Sequence, residues 1–239
     1  MKSKLSQDQS FSMTDFEKGL VLAGILTPQT TRELEEIEAL EEYESNKKKQ
    51  SKAVFFKRVV LSAEIVSALY EEPTFGRVKF QKLVYLCEHA ALMNLQERYL
   101  KLVAGPFDNK FMHTIEAEFK RQKWFTVEKV FQAPYTRTKY IPLDNFEGHK
   151  KYYSSYFQQS EEDIRQIISL FRKKNTAFAE ISATLLACYL ELTEKNLPYD
   201  EERLLSFFYE WSTSKQKYDR STVLENWAWM LENGLVKLQ

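Results

Sequence analysis

Along most of the chain, apolar residues recur at the spacing of one helix face, and a single stretch alternates like a strand. Residues 14–26 carry Phe16, Leu20, Leu22, Ile25 and Leu26 and stop at Thr27-Pro28, which predicts a short helix. Thr30, with Glu33 three residues on, offers a capping box to a longer helix whose apolar stripe is narrow: Leu34, Ile37 and Leu40. A helix over 59–70 follows, ended by Glu71-Glu72-Pro73, and another over 76–95 places Phe80, Leu83, Val84, Cys87 and Ala91 at core spacing. After Gly105-Pro106, Asp108 is positioned to cap a helix with Phe111, Met112, Ile115 and Phe119 on one face. The alternating stretch, 124–131, is rich in β-branched and aromatic residues. Paired with 139–143 across Ala133-Pro134-Tyr135-Thr136, it predicts a β-hairpin near 124–143. Helical spacing then returns over 147–159, 160–174, 176–195, 200–211 and 222–233. Ser160 with Asp163 and Thr222 with Glu225 are expected N-terminal caps, and Gly234 an expected stop. The expected fold is mainly α (α+β), a multi-helix domain with one small β-hairpin.

Charge divides the chain. Residues 33–44 are acidic around the thin stripe, and the sign reverses through Lys47-Lys48-Lys49 to Lys52, Lys57 and Arg58. We therefore expect a charged helical N-terminal arm over 1–58 and the main domain over 59–239. A helix with so narrow a stripe either lies on a partner or is a solvated connector. Overall, 34 Lys and Arg balance 34 Asp and Glu, so no global field draws the chain to nucleic acid or anionic lipid. Six Gly and six Pro favour long regular elements. No apolar run approaches the roughly 20 residues of a membrane span, and the first residues lack an apolar signal core, so a cytoplasmic protein is expected.

Catalytic chemistry finds little footing in the pattern. Cys87 and Cys188 both sit inside apolar helical stretches, where buried thiols are expected. His89, His113 and His149 form no pair at the spacing of metal ligands on one helix, and phosphate-binding glycine loops and nucleophile elbows are absent. A hydrolase using Cys87 or His113 has no residues to position its nucleophile. No enzyme, metal or cofactor is expected. Trp211, Trp227 and Trp229 are candidates for interface anchors or core packing.

Two linked segments remain. The first is Thr74-Phe75-Gly76-Arg77-Val78-Lys79-Phe80-Gln81-Lys82-Leu83-Val84-Tyr85-Leu86; the second is Ala104-Gly105-Pro106-Phe107-Asp108. Arg77, Lys79 and Lys82 lie off the apolar stripe, a cationic face that either meets an acidic partner or phosphate or is simply solvated. Gly105 and Pro106 are expected to fix a turn between two helices, with Phe107 presented there and Asp108 capping the second helix.

Together these segments resemble the Panacea, or SocA-like antitoxin, domain, over about 59–125 and more loosely beyond. Phe75–Lys79, Ala104–Asn109 and 121–125 are also similar to an extension of type I restriction specificity subunits. The resemblance implies a bacterial antitoxin that holds a cognate protein toxin, encoded nearby, inactive by direct binding. Tyr85, Gly105, Pro106, Phe107 and Asp108, with the three cations, become candidate partner contacts; Leu34, Ile37 and Leu40 are candidates on the arm. The alternative is an accessory module of a restriction or phage-defence complex with local DNA contact.

Overall fold

The computed structural model describes residues 52–95, 98–132 and 135–236, all within the second of the chain's two units, Lys48–Gln239. The stripe of Leu34, Ile37 and Leu40 lies outside the described residues. The described elements are mostly helical. In order they are α1 (Lys52–Leu69), α2 (Arg77–Ala90), β1 (Leu100–Leu102), β2 (Gly105–Phe107), α3 (Asn109–Arg121), β3 (Phe125–Gln132) and β4 (Tyr135–Pro142). There follow α4 (Lys150–Phe157), α5 (Glu161–Phe171), α6 (Thr176–Glu194), α7 (Glu201–Glu210) and α8 (Arg220–Glu232). Short 3-10 segments, Phe146–His149 and Thr213–Lys217, precede α4 and α8.

Burial sorts the helices into two kinds. α1 buries every residue from Arg58 to Ala63, α2 every residue from Lys79 to Glu88, and α6 every residue from Ala179 to Leu186. Helices covered on all sides form the centre of a domain. Around them α3, α5 and α7 each bury one face: Phe111, Met112, Ile115 and Phe119; Ile164, Ile167, Ile168 and Phe171; Leu204, Leu205 and Phe208. α2 is the hub, in contact with α1, α5, α6, β2 and β4.

The mainly helical fold and the hairpin are as expected. β3 pairs antiparallel with β4 from Phe125↔Pro142 to Gln132↔Tyr135. Other details differ. Residues 52–58, assigned on sequence to the arm, are the first turns of α1, and Arg58 is wholly buried. The Gly-Pro segment is a second ribbon rather than a helix–turn–helix corner: Leu102↔Gly105 and Leu100↔Phe107 are antiparallel partners around Val103-Ala104. Strands of three residues are too short to display a two-residue period. The helix expected over 76–95 ends at Ala90, because Leu92 (φ 51°) and Asn94 (φ 50°) take left-handed backbone that stops helical propagation.

Two expected caps also move. Ser160 makes no capping hydrogen bond, and the acidic first turn Glu161-Glu162-Asp163 favours the helix dipole of α5 instead. α8 begins at Arg220, and its cap is Asp219, whose Oδ1 accepts the Thr222 N–H at 2.8 Å. The Ser221 hydroxyl, followed by the Thr222 N–H and hydroxyl, holds the Asp219 carboxyl down to about 2. A carboxyl depressed in the folded state stabilises above its unfolded value and loses that contribution as pH falls through the folded value. The melting temperature of Asp219→Ala is therefore expected to lie below wild type by a constant gap above about pH 4, the ordinary aspartate value. The gap narrows towards about pH 2. Thermal melts of both proteins across acid pH check this.

Candidate functional site

The motif residues of the sequence are mostly internal. Lys79 and Lys82 are 0% and 1% exposed, which corrects the expected cationic face; Arg77 alone keeps partial exposure, 4.0 Å from Glu116. The reason is the position of α2: with neighbours on every side, its polar positions meet protein instead of water. Lys82 Nζ donates to Pro106 O at 2.8 Å. Lys79 Nζ donates to Thr74 Oγ1 at 2.9 Å, Arg172 O at 3.0 Å and Lys174 O at 2.6 Å, holding the carbonyl end of α5 while burial pushes its ammonium down to about 8.

Tyr85 is buried with its ring 4.7 Å from that of Tyr99. Phe107 is in the core. Gly105 sits at φ 99°, where an added Cβ would lie 2.5 Å from Thr184 Oγ1, so the ribbon can press against α6 only with glycine there. Its neighbour Pro106 is likewise buried and supplies the carbonyl for Lys82.

The candidate Asp108 belongs to a charged cluster in the core. Its Oδ1 accepts the Phe111 N–H at 3.1 Å, capping α3 as expected, and its Oδ2 accepts from Arg58 Nη1 at 2.6 Å. Arg58 also reaches Glu88, Nε to Oε1 at 2.6 Å and Nη2 to Oε2 at 3.2 Å, a two-pronged contact. Tyr99 donates to Glu88 Oε2 at 2.6 Å, and Arg98 Nε stands 3.4 Å from Asp108 Oδ2. The guanidinium lies 3.8 Å from the centre of the Phe111 ring. Burial alone would lower the Arg58 pKa, but Glu88, Tyr99 and Asp108 outweigh it and raise the value. Burial pushes the Glu88 carboxyl up, against the pull of Arg58. Every atom of the Arg58 fork is engaged, so the cluster is a brace and offers no substrate position.

A second brace holds the segment before α8. Lys215 Nζ meets Glu180 Oε1 at 2.7 Å with Lys215 0% exposed. Burial raises the Glu180 carboxyl, yet Lys215 outweighs it and the net direction is down. His149, also buried, contacts Phe146 O at 2.7 Å through Nδ1 and Glu64 Oε2 at 2.9 Å through Nε2.

Both thiols are free and buried, and burial pushes Cys188 up to about 12 and Cys87 further, which favours the protonated thiol. Among the described residues, no three His, Cys, Asp or Glu could hold a metal, and no helix is long and apolar enough to cross a membrane. Trp227 is core, its Nε1 donating to the Tyr199 hydroxyl at 2.8 Å; Trp211 Nε1 donates to Leu102 O at 2.8 Å, and Trp229 packs on Phe178 with centroids 4.8 Å apart.

What remains is a groove. The last turns of α2, one side each of α5 and α6, and the turn Gly234–Val236 after α8 enclose about 430 Å³. Its apolar lining includes Leu86, Ile167, Leu186, Leu190 and Val236, with Leu92 at the rim, 76% exposed. Volume and lining fall in the range of binding clefts. Sequence reasoning missed this site because its walls come from four places in the chain. The one local signal was Leu92, an apolar residue just beyond the end of α2. No family model, curated protein or solved structure matches the chain.

Removing one member of a buried ion cluster strands the others. Arg58→Met is expected to cost about 3–5 kcal/mol of unfolding free energy, and Glu88→Gln, which keeps the shape and some hydrogen bonds, less. Urea titrations of the three proteins measure this. The same logic predicts that a chain starting at residue 48 unfolds cooperatively, whereas one starting at 59, which lacks Arg58, does not.

Proposed function

We propose that the chain is a binding protein, not a catalyst, and that it neutralises a cognate toxin by covering it. The apolar groove between α2, α5 and α6 carries this reading: it is a large opening with an exposed leucine at its lip, among described residues whose titratable clusters are saturated by internal partners. The likeness of the 74–86 and 104–108 segments to the Panacea domain supports the antitoxin form of it. The motif itself then serves as scaffold, since Lys82, Tyr85, Gly105, Pro106, Phe107 and Asp108 are spent on internal packing. The partner surface lies elsewhere, on the groove. The alternative of local DNA contact draws no support from the α2 cations, because Lys79 and Lys82 point into the protein.

The test is co-expression of the tagged chain with the products of its neighbouring genes, followed by affinity capture and growth measurement. A captured partner that arrests growth alone and is harmless with this chain is the expected result. Capture of DNA or of restriction subunits, with no toxic neighbour, would overturn it. A protein–protein complex held by apolar contact is further expected to survive salt concentrations that dissolve a phosphate-bound one.

A further inference from the structure

The walls of the groove restrict what can sit in it. α2, α5 and α6 are helices that spend their backbone groups along their own axes, and the N–H groups of the turns at 91–93 and 234–235 are bonded internally as well. Ala91 N–H bonds Cys87 O, Leu92 N–H bonds His89 O, and Met93 N–H bonds Glu88 O. On the opposite wall Gly234 N–H bonds Leu231 O and Leu235 N–H bonds Met230 O. An extended peptide would find no strand edge to pair with, and its own backbone would be buried unsatisfied. The occupant must satisfy its backbone by itself, as a helix does.

Size and charge narrow it further. A cavity of about 150 Å³ suffices for one benzene-sized group; about 430 Å³ has the volume for two or three such side chains. Among the residues lining the groove, Asp163 is the one carboxylate and no Lys or Arg is present, while burial disfavours the charged form of His89. Glu161 and Glu162 precede Asp163 in the exposed first turn of α5; Arg165 offsets Glu162, which leaves Glu161 and Asp163 to make that turn acidic.

Resting on the binding-protein reading, we infer that the groove receives an amphipathic helix of the partner. That helix presents apolar side chains at i, i+3 or i+4, and i+7 to Leu86, Ile167, Leu186 and Leu190, and a Lys or Arg to Asp163. Leu92 closes over the apolar face from the rim.

The probe is a pair of fluorescein-labelled amphipathic peptides of about 14 residues, four helical turns. Both carry leucines at i, i+3, i+7 and i+10; one is flanked by lysines and the other by glutamates, with a scrambled lysine peptide as control. Fluorescence anisotropy against the full chain is expected to show saturable binding of the lysine peptide, and binding weaker by about tenfold or more to Leu92→Asp. Asp163→Lys is expected to reverse the preference towards the glutamate peptide. Both positions are exposed, so both variants are expected to fold; Asp163→Lys gives up a first-turn carboxylate of α5 and is expected to melt slightly below wild type, and melts of both variants confirm folding before affinities are compared. The inference is overturned if neither peptide saturates, if the scrambled peptide binds equally, or if both substitutions leave the affinities unchanged. Failure here, with a toxin still captured in the co-expression experiment, removes the groove and leaves the antitoxin reading intact. Peptide binding without a toxic neighbour does the reverse.

Discussion

One guanidinium organises this domain. Arg58 stands on α1, and its fork reaches Glu88 on α2, thirty residues on, and Asp108 at the start of α3, fifty residues on, with the Tyr99 hydroxyl between them. None of these charges has water to fall back on, so each is tolerable only while the others are in place. That mutual dependence converts a set of helices into one geometry. Asp108 can cap α3 only where Arg58 puts it, and β2 runs directly into Asp108. The ribbon, the cap and helices α1 and α2 are therefore fixed by a single polar contact set, with apolar packing filling the space around it.

The lysines of α2 extend the same principle with neutral acceptors. Lys82 binds a carbonyl of β2, and Lys79 binds the Arg172 and Lys174 carbonyls just beyond the end of α5. Helix α2 thus touches its neighbours through ammonium groups as well as through Phe80, Leu83 and Val84. Burying an ammonium is costly, and the depressed Lys79 pKa reflects that cost. What the arrangement gains is direction: a lysine aimed at two carbonyls sets where α5 ends, which an apolar side chain could not do.

Much of the fold was legible because periodicity reports one-sided burial. α3, α5 and α7 show clean stripes in the sequence and bury those stripes in the structure. The hairpin was legible for the same reason, with an alternating run of adequate length. The central helices were located but their polar residues were misread. Lys79, Lys82 and Arg58 look like solvated charge in a linear pattern, and only the long-range partners, Pro106, the end of α5, and Glu88 with Asp108, show otherwise. Pairings over 24 to 95 residues leave no trace in a local window. The short ribbon at 100–107 was hidden by its length, and the groove by its assembly from four separate segments.

The early end of α2 ties the scaffold to the surface. A helix continuing to residue 95 would lack the turn that leaves Leu92 exposed beside the groove. It stops at Ala90, and the next residues turn through left-handed backbone at Leu92 and Asn94. Asparagine accepts that conformation readily; leucine does so at an energetic disadvantage, in a segment that also leaves its side chain in solvent. A glycine at position 92 would make the same turn without strain or exposure. The presence of leucine, strained and exposed at the lip of a cleft whose floor is apolar, joins two unfavourable features at one place. Apolar contact from a partner would offset the second and, by holding the turn, tolerate the first.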